Sequence, residues 1–188
     1  MPFDWLITPL SSIPLVLQDG FKRMVDPSCL EPIEIMRRGR PVTTVINRCY
    51  QVLIPHEFPE DGERSLAANW RDHLPEAAAK WDYLARRWRD MTAIHRPILF
   101  VRQGGNLRLP SKTVTETSAQ DHLMVLEALR SVAKNCRLLV VDPGCDLSGT
   151  DILTDSLGEG TAQDRDKGED AWMGPPEAWA RVLARFRP

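Results

Sequence analysis

Two short segments of the sequence set an ionisable side chain among aromatic and apolar neighbours. Residues 2–5 read P-F-D-W and contain Asp4, and residues 54–59 read I-P-H-E-F-P and contain His56. A histidine titrates near neutral pH and can take a proton from a nucleophile, while a carboxylate can orient its ring. A charge in apolar surroundings is costly unless something pairs with it. These residue types are therefore candidates for general-base chemistry, with His56 as the base and Asp4 as its orienting group.

Each of these residues also has a structural alternative. His56 could pack between Pro55 and Phe58 and bond a backbone group, and Asp4 could cap a local turn. Trp5 is a candidate substrate contact, although its ring also offers a large apolar area to a core. The sequence leaves both interpretations of each residue open.

Two further candidates follow short apolar runs. Residues 98–101 precede Arg102, and residues 138–141 precede Asp142. Continuous apolar runs of this length are typical of buried parallel strands, and α/β proteins bind ligands at the carboxyl ends of such strands. Arg102 is therefore a candidate for binding an anionic substrate group, and Asp142 for contacting the substrate. A buried ion pair for Arg102 and a turn-forming role for Asp142 are the alternatives.

The spacing of apolar residues predicts the elements that position these candidates. Residues 43–54 are rich in β-branched side chains and predict one strand, which could kink near Asn47 and Arg48 and which ends just before His56. From Leu74 onward, apolar residues recur every seven positions and include Trp81 and Trp88, which predicts a long amphipathic helix. The tryptophan stripe is expected to face the core.

A strand–helix–strand unit is predicted for the middle of the chain. Ser118 and Asp121 form a capping-box pattern at the start of a helix that should reach about Lys134. Because this helix lies between the two apolar runs, the three elements predict a βαβ unit with a parallel strand pair. Residues 146–170 are predicted to form a mobile loop, and residues 176–187 a C-terminal helix. We expect one α/β domain over residues 1–188, with a central, partly parallel sheet flanked by helices.

Composition narrows the possible partners. The chain has 188 residues, of which 43% are hydrophobic, and its formal net charge is −2. It lacks the basic surplus of nucleic-acid binding proteins, any apolar run of the roughly 20 residues that span a bilayer, and a secretory signal pattern. Its four cysteines and four histidines lack the spacing of common metal sites. We therefore expect a cytoplasmic chain with reduced thiols and no disulfide framework, metal, cofactor, nucleic-acid partner or membrane partner.

The order of the motifs resembles that of a known family. The P-F-D-W box, the H-E-F box at residues 56–58, the basic amphipathic helix and the F-V-R strand end at residues 100–102 follow one another along the chain. This order is similar to that of a bacterial family of unknown function (DUF1796), described as papain-like cysteine peptidases, whose second box is usually H-D-F. The resemblance covers roughly residues 2–142. It implies a Cys–His peptidase or acyl-transfer domain and an alternative α+β, papain-like fold.

The family places its nucleophile in a Gly-x-x-Cys segment upstream of the P-F-D-W box. The present sequence begins at that box, so the resemblance implies either a true start upstream of this sequence or a protein without that nucleophile. Cys145, beside a glycine in a loop, is the alternative thiol. Cys49 is expected to be a small core residue, remote from His56 along an extended strand.

Two other classes of function stay open. The βαβ unit with Arg102 and Asp142 at its edge fits a Rossmann-like domain that binds or transfers a nucleotide sugar or glycan. A non-catalytic interaction module is the third possibility. The sequence indicates neither the identity of a peptide or small-molecule substrate nor the oligomeric state.

Overall fold

The computed structural model describes residues 8–37, 39–103, 118–157 and 176–186. Within these residues the chain forms four α-helices and two three-stranded sheets. One sheet is antiparallel, with strand order β1–β2–β3, and the other is parallel, with order β4–β5–β6. The predicted α/β class is confirmed.

The N-terminal half contains the antiparallel sheet. Its elements are α1 (Ser12–Asp19), a short 3-10 helix (Pro27–Cys29), β1 (Leu30–Arg37), β2 (Arg40–Asn47) and β3 (Val52–Leu53). The single strand predicted for residues 43–54 is wrong, because the chain reverses after β2 and returns as β3. The side-chain oxygen of Asn47 accepts from the backbone N–H of Tyr50 at 2.9 Å, and Gln51 has a φ of 58°. The pattern of apolar residues does not indicate this turn, because a side-chain hydrogen bond closes it.

A disulfide joins Cys29 to Cys49 across this sheet, with a Cα–Cα distance of 5.4 Å. The turn after β2 brings Cys49 back beside the residue that precedes β1, and the N–H of Arg48 donates to the carbonyl of Cys29 at 2.7 Å. The expectations of reduced thiols and of a free core Cys49 are therefore wrong for this pair. The expectation of reduced thiols rested on the spacing of the cysteines, and that of a core Cys49 rested on one extended strand.

The tryptophan-rich helix is confirmed as α2 (Leu74–Ala93). Trp81 and Trp88 are buried, and Trp88 contacts Phe21 and Phe100, with ring centroids 5.8 and 5.5 Å apart. Phe21 follows α1, and Phe100 lies in the parallel sheet. The apolar stripe of α2 therefore packs against both halves of the described chain.

The predicted βαβ unit is also confirmed. It consists of β4 (Ile98–Gln103), α3 (Ala119–Val132) and β5 (Cys136–Val141), and β6 (Leu153–Asp155) adds a third parallel strand. The capping box forms as expected: Ser118 Oγ accepts from the N–H of Asp121, whose carboxylate accepts from the N–H of Ser118. The expectation that β4 is fully buried is wrong, because β4 is an edge strand and Val101 is 42% exposed.

The last described element is α4 (Pro176–Ala184), which falls within the helix predicted for residues 176–187. Its buried Ala178 and Val182 pack in one cluster with Leu139 and Val141 of β5. Of the segment predicted to be mobile, residues 158–170 lie outside the described part of the structure. Residues 146–157 contain β6 and the buried Leu147 and Ile152.

Candidate functional site

Polar side chains gather at the carboxyl edge of the parallel sheet. Arg102 is the last residue but one of β4 and pairs in register with Val140 of β5. Asp142 follows β5 directly, and His122 lies in the first turns of α3. Because the strands are parallel, their carboxyl ends and the start of the connecting helix share one edge, where α/β proteins usually bind ligands.

Arg102 holds a buried positive charge at this edge. Its Nη2 atom donates to the carbonyl oxygen of Thr8 at 3.4 Å, and its buried Nε atom has no hydrogen-bond partner among the described residues. Burial lowers the pKa of Arg102 to about 10, so the guanidinium stays protonated at neutral pH. No carboxylate within the described ranges forms an ion pair with it. Among the described residues, only the Thr8 carbonyl compensates this charge.

His122 is fully buried, with 0% of its surface exposed. Neither ring nitrogen has a hydrogen-bond partner in the described part of the chain. Burial and then the charge of Arg102 lower the pKa of His122, which keeps the imidazole neutral at pH 7. The Pro143 carbonyl favours the protonated form, although it makes no hydrogen bond of normal geometry to the ring. A neutral imidazole offers one donor and one acceptor.

Thr8 completes this cluster. Its side chain is buried and its Oγ1 atom has no partner among the described residues, while its carbonyl accepts from Arg102. Every buried side-chain atom found without a partner in the described ranges belongs to Thr8, Arg102 or His122. Each unpaired buried polar group costs about 1–3 kcal/mol, so a partner for these atoms, such as an ordered water, would stabilise the protein.

The sequence did not single out His122 as a functional residue. It lies three residues before Val125 and four before Leu126, both of which are buried on the same face of α3. A titratable residue on the apolar face of a helix that starts at the edge of a parallel sheet is the signal that could have found it.

Asp142 forms hydrogen bonds that hold the loop after β5 in place. It adopts a left-handed φ of 51°, and its carboxylate accepts from the hydroxyl of Ser156 at 2.6 Å. Its N–H donates to the carbonyl of Asp155 at 2.9 Å. The carboxylate thus contributes to the shape of the loop at the same edge as Arg102.

An open depression of about 410 Å³ adjoins this edge and is lined by ten residues between positions 143 and 155. Its lining includes the carboxylate of Asp146 and the hydroxyl groups of Ser148 and Thr150. Cys145 also lines it, and burial together with the charges of Asp146 and Asp121 raises the pKa of that thiol. A raised pKa disfavours the nucleophilic thiolate.

His56 lies in a turn after β3, and its side chain is exposed. The neighbouring residues are held firmly: Glu57 accepts from Lys80 Nζ at 2.9 Å and from Trp81 Nε1 at 3.0 Å. Phe58 is buried, with its ring 5.0 Å from that of Trp70. Glu57 and Phe58 thus hold the H-E-F segment against neighbouring parts of the fold, while the side chain of His56 is exposed.

The predicted site residues fall into two groups in the structure. Arg102 and Asp142 lie at one edge of the parallel sheet, and His56 follows the antiparallel sheet. Asp4 and Trp5 lie outside the described residues. Within the described ranges, no cluster of three or more histidine, cysteine, aspartate or glutamate side chains could hold a metal ion.

No family model, curated protein or solved structure matches this chain. Among the described helices, none has both the length and the apolar character needed to cross a membrane.

Proposed function

We propose that this chain binds a small anionic molecule at the carboxyl edge of its parallel sheet, with Arg102 holding the anion. The observation that carries this proposal is the buried guanidinium of Arg102, whose described partner is the carbonyl of Thr8. A phosphate or carboxylate would compensate the charge and accept from the unpartnered Nε–H group. Nucleotides and nucleotide sugars are the first candidates, because their phosphates suit this position in an α/β fold.

The effect of an Arg102 substitution on the free energy of unfolding of the ligand-free protein distinguishes a binding role from a structural role. Removal of an uncompensated buried charge costs little, whereas breaking a buried ion pair costs about 3–5 kcal/mol. Because the Thr8 carbonyl loses its described donor, we expect Arg102→Met to lower the free energy of unfolding of the ligand-free protein, measured in urea, by about 1–2 kcal/mol. A larger loss of free energy of unfolding, of about 3–5 kcal/mol, would indicate that Arg102 stabilises the fold through an ion pair instead.

Thermal-shift measurements with nucleotides and nucleotide sugars test the binding itself. A ligand at about 100 times its Kd should raise the Tm by about 5–10 °C. Arg102→Met should abolish this shift. Arg102→Lys should reduce it, because lysine keeps the positive charge but lacks the planar guanidinium that can bind an anion through two N–H groups. Arg137→Met, which removes an exposed arginine from β5, is the matched control and should keep the shift. A shift that survives Arg102→Met would refute the proposal.

A Cys–His peptidase or acyl-transfer function is the second candidate. It is favoured by the anchored H-E-F segment, which presents an exposed imidazole on a fixed support. Two of the four cysteines form the disulfide, and burial raises the pKa of both Cys136 and Cys145. We therefore expect the purified chain to leave peptide and ester probes intact. Hydrolysis that persists unchanged in His56→Ala would exclude the mechanism in which His56 is the base.

A cytoplasmic location stays a prediction, and the Cys29–Cys49 disulfide weighs against it, because reducing compartments keep most thiols reduced. Alkylation of thiols in intact cells, followed by mass spectrometry, would measure the redox state of the pair. A fully oxidised pair would place the chain in an oxidising compartment.

A further inference from the structure

We infer that the ligand held by Arg102 carries a hydroxyl group near its anion, and that this hydroxyl donates a hydrogen bond to the unprotonated ring nitrogen of His122. This inference rests on the proposed anion binding and names the class of ligand: a polyol or sugar that bears a phosphate or carboxylate. His122 is fully buried, and both of its nitrogens lack partners among the described residues.

The hydrogen-bonding capacity of the imidazole selects this class. A carboxylate or a fully ionised phosphate only accepts hydrogen bonds, so it could satisfy the N–H of His122 and would leave the other nitrogen unpaired. A hydroxyl both donates and accepts hydrogen bonds. It can donate to the unprotonated nitrogen of His122 while its oxygen accepts from a neighbouring donor. The hydroxyl of Thr8, also buried and unpartnered among the described residues, has the same dual capacity.

The charges around His122 keep it in the form that this argument needs. Arg102 approaches from β4 and disfavours a second positive charge, while Asp121 acts from α3 in the opposite direction. The carboxylate of Asp121 is already engaged by the N–H and hydroxyl of Ser118 in the capping box. Burial adds to the effect of Arg102, so the ring enters the complex neutral.

The depression next to the cluster orients the ligand. Pro143 lines the depression and also faces the ring of His122 through its carbonyl, so it connects the two. The carboxylate of Asp146 can accept from sugar hydroxyls and would repel a second anion, and Ser148 Oγ, which donates to Asp146 at 2.9 Å, can still accept. The anion therefore belongs at Arg102 and the hydroxylated body over the loop after β5.

A matched pair of probes tests the inference. Glycerol 3-phosphate and propyl phosphate share a phosphate ester and a three-carbon chain, and only the first has hydroxyl groups. We expect wild-type protein at pH 7 to bind glycerol 3-phosphate at least about tenfold more tightly, measured by NMR titration, because unpaired buried groups penalise the analogue. His122→Leu should bring the two affinities to within about twofold, and His122→Gln, with both a donor and an acceptor, should restore part of the preference.

The outcomes separate this inference from the proposed function. Equal affinity for both probes in wild type, lost in Arg102→Met, overturns the role of His122 and leaves anion binding in place. A preference that persists in His122→Leu also overturns it. Failure of the folded wild-type protein to bind either probe overturns both proposals. Circular dichroism checks the fold of each variant, and His122→Met replaces His122→Leu if the leucine variant does not fold.

Discussion

The guanidinium of Arg102 donates to the carbonyl oxygen of Thr8 at 3.4 Å, although the two residues lie 94 positions apart in the sequence. This bond joins the carboxyl edge of the parallel sheet to the segment that precedes α1. Because His122 acts electrostatically on the same guanidinium, three distant parts of the chain meet in one buried polar cluster. The order of the sequence motifs did not reveal this cluster.

The buried His122 should make stability depend on pH. Its pKa in the folded protein lies below its ordinary value near 6.5, so the unfolded chain binds more protons as the pH falls below that value. The stabilisation is present above about pH 6.5 and is lost as the pH falls through the folded-state pKa. We expect the urea midpoint of ligand-free wild type to drop more between pH 7.5 and pH 5 than that of His122→Leu. Equal drops would show that His122 does not titrate with unfolding.

The hydroxyl of Tyr50 should contribute to stability below pH 10. It donates to a carboxylate oxygen of Asp19 and accepts from the N–H of Arg23 at 3.1 Å. Tyr50→Phe removes both hydrogen bonds, one of them to a charged carboxylate, and we expect the free energy of unfolding at pH 7 to fall by about 1–3 kcal/mol. Tyr83→Phe, which alters an exposed tyrosine, is the control and should stay within about 0.5 kcal/mol of wild type.

The same tyrosine has a consequence at alkaline pH. Burial and the Asp19 carboxylate raise the pKa of Tyr50 to about 12, above its ordinary value of 10.0. The unfolded chain therefore loses this proton first, and the stabilisation is lost as the pH rises from about 10 to about 12. A steeper decline of the urea midpoint in wild type than in Tyr50→Phe over this interval would confirm the shift. Parallel curves would contradict it.

The disulfide should stabilise the antiparallel sheet. Cys29 and Cys49 are 20 positions apart, and a loop of this length is expected to contribute about 3 kcal/mol through the unfolded state. Dithiothreitol should lower the urea midpoint of wild type by a corresponding amount. A variant with serine at both positions should show the lower midpoint with or without the reductant, and Cys145→Ser should respond as wild type does. An unchanged midpoint in reduced wild type would argue against the bond.

Trp88 should be among the most costly residues to truncate. It packs between Phe21, which follows α1, and Phe100 of β4. Trp88→Ala should lower the free energy of unfolding by about 3–5 kcal/mol, as expected for deletion of a large buried ring. Tyr83→Ala, on the exposed side of the same helix, should change it by about 0.5 kcal/mol or less. Similar losses in both variants would show that the core does not centre on the buried face of α2.

The elements that the sequence predicted well are those set by local rules. The seven-residue spacing of Leu74, Trp81 and Trp88 predicted α2, and the Ser118 and Asp121 pair predicted the start of α3. The two apolar runs around that helix predicted the parallel pair. Helical periodicity, capping and chain connectivity act between residues close in sequence, so a single sequence records them.

The candidate site was predicted only in part. Arg102 was chosen because it ends a strand, and the structure places it at the edge that this position implies. His122 was missed, because its meaning depends on its burial and on the nearby charge of Arg102. A kink near Asn47 was considered, but the full reversal there and the disulfide at Cys49 were missed. Both involve residues that precede β1, since Asn47 donates to the Arg23 carbonyl and Cys49 pairs with Cys29.

The sequence by itself determined the α/β class, the long tryptophan-lined helix and the strand–helix–strand unit. The folded chain was needed to show which cysteines are bonded, which histidine is buried and which arginine donates to a carbonyl distant in sequence. The physical reason is that helices and strands follow from periodic burial along the chain, while the state of a titratable or bonding group depends on its dielectric surroundings and on partners distant in sequence. For Arg102 the described partner lies 94 positions away.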